Sequence, residues 1–105
     1  MNLSDGWLAG WYRRYNERYF AGDLPDEVDV LYAPVKGCCA DVLPGELDDF
    51  VLRINPAFAL DASIARITLL HEMVHIKLWP NRRHGAAFYE EIKRLAQAGA
   101  YKGIL

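Results

Sequence analysis

At 105 residues the chain is long enough for one domain and too short for two. Hydrophobic residues make up 52 % and aromatics 12 %, which supports a buried core and excludes a disordered chain. A net charge of −2 excludes a general electrostatic drive towards nucleic acid or acidic lipid, and no apolar run reaches the ~18 residues of a membrane span.

Residues 1–6 lack a basic region followed by an apolar stretch, so no signal peptide is expected. Leu8, Trp11, Tyr12, Tyr15 and Tyr19 recur at helical spacing and predict an amphipathic helix over residues 5–20. Ser4 or Asp5 can cap it, and Gly22, Asp23 and Pro25 end it. The aromatic stripe reads as core. Residues 28–33 read as a strand stopped by Pro34, 38–43 as a second strand, 44–49 as a turn, and 50–55 as a third strand stopped by Pro56. The second and third form a hairpin, which predicts a small, mainly antiparallel three-stranded sheet. Cys38 and Cys39 are adjacent, where a disulfide is strained, so they read as reduced thiols of a cytoplasmic protein, packed as small hydrophobes in a strand. Asp61 caps a helix over 62–78 whose apolar face runs Ile64, Ile67, Val74, Leu78; Trp79-Pro80-Asn81 ends it. A last helix over 84–98 puts His84, Phe88, Ile92 and Leu95 on one side. This order of elements predicts an α+β domain.

Charge is uneven. Residues 1–50 hold 4 basic and 10 acidic side chains, a net −6; residues 51–105 hold 8 basic and 4 acidic, a net +4. Ordinary solvated helix faces account for this, with a weak electrostatic path for a nucleic-acid-associated substrate as the sharper alternative.

The chemistry concentrates in His71-Glu72-Met73-Val74-His75, of the form H-E-x-x-H, followed by His84; these are the chain's 3 histidines. On a helix, residues four apart lie about 40° apart around the axis, so His71 and His75 point the same way. Buried imidazoles need partners, and one zinc ion supplies a shared one. Three histidine ligands leave a tetrahedral zinc with an open position, the pattern of catalytic sites. Zinc there acidifies a bound water and polarises a carbonyl, and Glu72 is placed as the general base that takes the water's proton. The expected function is thus a zinc metallopeptidase holding one Zn²⁺ on His71, His75 and His84, with a protein or peptide as substrate. It would bind an extended peptide along an exposed sheet edge, for which residues 50–55 are the candidate. Oxyanion stabilisation beyond the metal is open among Tyr32, Tyr89, Arg82 and Arg83. Cys38 or Cys39 could instead close the site, making it structural, or replace His84 in a deformylase-like amide hydrolase. Glu91 could replace His84 or orient an imidazole, and Glu90 and Glu91 otherwise read as solvated. A non-catalytic, zinc-stabilised protein- or DNA-binding module is the rival from another class.

The chain resembles the SprT-like zinc metallopeptidases, the group that includes the Spartan DNA–protein crosslink proteases. The residues that carry the likeness span about 8–92. They are Tyr15-Asn16-Glu17-Arg18-Tyr19-Phe20 with Leu24-Pro25, then Gly37-Cys38 and Ile54-Asn55-Pro56, then Leu69-Leu70 before the histidine motif, and His84-Gly85 with Phe88. The resemblance implies a zincin-like fold with a third-ligand helix after the H-E-x-x-H helix, His71, His75 and His84 as zinc ligands, Glu72 as general base, and peptidase activity on DNA-associated proteins. Residues 1–105 then read as a single SprT-like domain, without the C-terminal zinc ribbon that many members carry.

Overall fold

Ser4 starts the first helix. Its hydroxyl accepts the Trp7 amide at 3.2 Å and caps α1 (Asp5–Tyr19). The Asp5 carboxylate, free of capping, accepts the Tyr32 amide at 2.7 Å and ties the start of α1 to the first strand. The structure, a computed structural model, describes residues 4–45 and 49–105. Leu8, Tyr12 and Tyr15 are buried, so the aromatic stripe is core, as its spacing predicts. At the helix end, Gly22 takes φ 72° and donates its amide to the Asn16 carbonyl at 2.9 Å. The Asn16 side chain then clamps both backbone groups of Leu24, at 2.9 and 3.0 Å, and the Tyr12 hydroxyl donates to the Pro25 carbonyl at 2.7 Å. These bonds fasten the exit segment back onto the helix and satisfy a buried amide side chain.

Three strands follow: β1 (Val28–Tyr32), β2 (Ala40–Pro44) and β3 (Phe50–Ile54), in the order β1-β3-β2. The hairpin of β2 and β3 is present, with Val42 opposite Leu52. Below it the Gly45 amide donates to the Asp49 carbonyl at 2.7 Å; Glu46, Leu47 and Asp48 of the expected turn lie outside the described residues, as do Met1, Asn2 and Leu3 of the opening segment. β1 lies parallel to β3, with Val30 also opposite Leu52. The sheet is therefore mixed, with one ladder of each kind, rather than mainly antiparallel. Residues 50–55, the expected edge, form the central strand instead. Both sides of β3 are taken by ladders, and the edges are β1 and β2.

Val30, Val42, Leu52 and Ile54 are buried on one face of the sheet, where α1 packs on β1 and α2 (Ala62–Lys77) packs on β2 and β3. Asp61 caps α2, accepting the Ile64 amide at 2.9 Å. Leu69, Leu70, Met73 and Val74 are fully buried and fix the rotation of α2 about its own axis. The last helix, α3 (Ala86–Gln97), starts two residues later than expected, with Gly85 at its N-cap. Glu91 clasps it to its neighbours. One carboxylate oxygen accepts from Lys77 of α2 at 2.8 Å and the other from Arg94, which also donates to the Tyr19 carbonyl of α1 at 2.7 Å. Among the described residues no helix is long and apolar enough to cross a membrane.

Candidate metal centre and cleft

The last two turns of α2 carry His71, Glu72 and His75 along a cleft of about 630 Å³. Its opposite wall is the edge strand β2, from Ala40 to Leu43, with Cys38 and Cys39 at the rim. The Nε2 atom of His75 lies 3.3 Å from that of His71 and 2.9 Å from that of His84. A ring nitrogen carries either one proton or one lone pair, so His75 Nε2 can satisfy one of these neighbours by hydrogen bonding and not both. A cation among the three nitrogens satisfies all of them. Zinc–nitrogen bonds of 2.0–2.1 Å at tetrahedral angles set neighbouring nitrogens about 3.3 Å apart, close to the observed spacing. The donor set therefore fits a metal ion, and among the described residues this trio is the cluster able to hold one.

The trio is assembled from two elements. Helical spacing supplies His71 and His75. His84 comes from the loop between α2 and α3, not from α3 as expected, and it is exposed. That loop is shaped by Asn81, whose amide donates to the Leu78 carbonyl at 2.9 Å and whose side chain accepts the Arg83 amide at 3.1 Å. Phe88, on the first turns of α3, backs the whole cluster. Its ring centroid is 4.8, 5.0 and 4.6 Å from those of His71, His75 and His84.

Burial favours the neutral rings of His71 and His75, which is the ligand form. Burial, then the neighbouring imidazoles of His75 and His84, push His71 down to about 4. Burial and His84 lower His75 in the same sense. Glu72 is 7 % exposed; burial first, then the carboxylate of Asp41, push it up to about 7. Asp41 is itself gripped by Arg53, its cross-strand partner, through two contacts, one of them 2.8 Å from Nε. A cation held by the imidazoles acts on Glu72 in the opposite direction, favouring its charged form.

The alternative ligands are elsewhere. Cys38 and Cys39 are exposed free thiols that precede β2 rather than packing within a strand, and they stand outside the cluster able to hold a metal ion. Cys38 Sγ donates to the Ala40 carbonyl at 3.3 Å. Glu90 is exposed, and Glu91, expected to be solvated, is buried and ion-paired to Lys77 and Arg94. Of the four residues considered for the oxyanion, Arg82 lines the cleft, stacked 4.4 Å from the Trp79 ring centroid. Tyr32 is on β1 with its hydroxyl buried and without a hydrogen-bond partner among the described residues, and Tyr89 and Arg83 do not line the cleft.

Sequence reasoning did not single out Asp41 or the fixing role of Asn55. Asn55 donates its side-chain amide to the Val35 carbonyl at 3.1 Å and its backbone amide to the Cys39 carbonyl at 2.8 Å, which holds the cleft rim in place. The Asp41–Arg53 pair was findable once the hairpin register was known; the reach of Asn55 across 20 residues was not.

No family profile matches the chain, and no curated protein matches it. Among solved structures it is similar to the crystal structure of the metallopeptidase zymogen of Pyrococcus abyssi abylysin, at a TM-score of 0.62 and 20 % identity. The match covers 92 % of this chain and 87 % of that one. At this identity the likeness establishes the architecture: the chain has a metallopeptidase-like α+β fold, with its three histidines gathered at one cleft.

Proposed function

We propose that this chain is a zinc-dependent metallopeptidase. The observation that carries the reading is the convergence of His71, His75 and His84 at a cleft whose wall also holds Glu72 and whose far side is an unpaired sheet edge. His71, His75 and His84 would hold the ion. When bound, zinc supplies Lewis acidity, acidifying water and polarising the carbonyl under attack.

The chain's own residues do the rest. β2 is an edge strand, and an extended peptide would add beside it as a further strand and lie across the histidines. Val42, Leu43, Ile67 and Trp79 give the cleft an apolar lining suited to an apolar side chain beside the scissile bond. Glu72 takes the proton of the attacking water and delivers it to the leaving amine. Arg82 is the cation at the cleft available to the developing oxyanion. The finer assignment, to the SprT-like group, rests on the residues flanking the motif. Its extension to DNA-associated substrates rests on that resemblance.

The test is Glu72→Gln. Metal content and folding should persist while peptide cleavage falls by ~10²–10⁴ or more. Cleavage that continues at the parent rate removes Glu72 from the mechanism, and a parent protein that cleaves nothing in a broad peptide panel removes the enzyme. The same assay with and without DNA decides the extension.

A further inference from the structure

A second cavity, of about 570 Å³, lies between α1, the first half of α2 and the segment after α3. None of its lining residues lines the histidine cleft. Arg66 of α2 lies nine residues before His75, about half a turn away around the helix, so the two cavities are on opposite sides of α2.

This cavity gathers Arg14, Arg18, Arg66 and Lys102 around one carboxylate, Glu17. On a chain of net charge −2 that is a local reversal of sign. None of the four cations is ion-paired to a carboxylate among the described residues. Aromatic rings hold the guanidinium groups instead. Arg66 stacks 3.7 Å from the Trp11 centroid and donates Nε–H to the Tyr15 hydroxyl at 2.7 Å. Arg14 sits 5.0 Å from Trp11, and Arg18 sits 5.7 Å from Tyr19. The Nε bond leaves the two terminal nitrogens of Arg66, with their four N–H groups, unspent on protein partners among the described residues. Arg66, held by its stack on Trp11 and its bond to Tyr15, loses little freedom on meeting an anion, which is how a receptor is built in advance of its ligand.

We propose that this cavity binds a small phosphate-bearing anion, independently of the peptidase reading. Four cations lining one cavity with a single carboxylate leave positive charge in excess, and that excess matches the several oxygens of a phosphate or diphosphate. The volume falls in the ~300–1,000 Å³ range of small-molecule sites. The Trp11 ring is stacked by Arg66 at 3.7 Å with Arg14 at 5.0 Å, so this ring is occupied by guanidinium groups rather than open to a base.

Isothermal titration calorimetry of the full chain with inorganic pyrophosphate at low ionic strength tests the proposal. Saturable one-site binding is expected, weakened about tenfold or more by Arg66→Gln or by Arg18→Gln. Arg13→Gln, which removes a cation of the same helix outside the cavity, should leave the affinity unchanged. Arg66 packs on Trp11 and Tyr15, so its variant is first checked by thermal melting; Arg18→Gln and Lys102→Gln, both at exposed positions, carry the test if it does not fold. His75→Ala should bind pyrophosphate as the parent does. Absence of binding by the parent overturns the proposal, as does equal weakening by Arg13→Gln. Loss of binding in His75→Ala with retention in the arginine variants also overturns it, by moving the anion to the histidine cleft. A parallel titration with a single-stranded oligonucleotide addresses the source of the phosphate, and binding of the strand without binding of pyrophosphate rejects the small ligand.

Discussion

His84 differs from its two companions in kind. His71 and His75 are half-buried on a helix whose rotation is set by fully buried neighbours, whereas His84 is exposed and loop-borne. Its substitution therefore separates metal binding from folding. His84→Ala should leave the unfolding free energy of the metal-free protein within ordinary surface-mutation scatter, about 0.5 kcal/mol, by urea denaturation. Zinc affinity should fall by more than about 100-fold, read by competition with a chromogenic chelator. Zinc held as tightly as before would remove His84 from the ligand set. The pairing of His71 with His75 is legible in the sequence because four-residue spacing has one geometric meaning on a helix. The meeting with His84 is legible only as chemistry, since these are the chain's three histidines; it lies outside the helix because α3 begins after the N-cap Gly85, two residues later than periodicity alone suggests.

Among the elements, α3 is fastened by one carboxylate. Burial by itself would raise Glu91, but the hydrogen bonds and charges of Arg94 and Lys77 outweigh it and hold the group below the usual glutamate range. A folded-state value below the unfolded one makes its contribution complete above the unfolded value, near 4.5, and lost as pH falls through the folded value. Glu91→Gln should thus cost about 1–2 kcal/mol at neutral pH, the lower end for hydrogen bonds to a charged group, because Lys77 and Arg94 remain 39 % and 42 % exposed. The loss should shrink below pH 4, seen as converging urea midpoints of parent and variant. A constant gap across the acid range would show that Glu91 contributes by packing alone. The helices and strands themselves are readable from periodicity and from Pro34 and Pro56. Strand order is not, because a hairpin follows from a short connection whereas the partner of β1 is chosen across the chain. That choice puts β3 in the centre and leaves β2, not residues 50–55, facing the cleft.

For the molecule as a whole, an ion bound at the histidine cluster would be coupled to the fold. Three candidate ligands drawn from α2 and the following loop are gathered only in the folded chain, so an ion that binds there would stabilise it. At zinc concentrations 100 times the dissociation constant the gain is about 2.7 kcal/mol. At ~4–8 °C per kcal/mol for a domain of this size, melting should rise by roughly 10–20 °C over chelator-treated protein in differential scanning calorimetry. No shift on adding zinc, nickel or cobalt would leave the histidine cluster without a metal. The loop position of His84 has one more implication, which concerns kinetics. A cation seated on two helical rings and one loop ring is latched from a single side. The segment from Leu78 to Gly85 is anchored at its start, where Leu78 and Trp79 pack on the core, and His84 lies at its exposed end, so a metal held there would be released by local opening around His84 before the whole fold unravels. Rapid loss of zinc to a chelator at temperatures well below the melting transition is the expected outcome, and release only on global unfolding would show that the loop does not open alone.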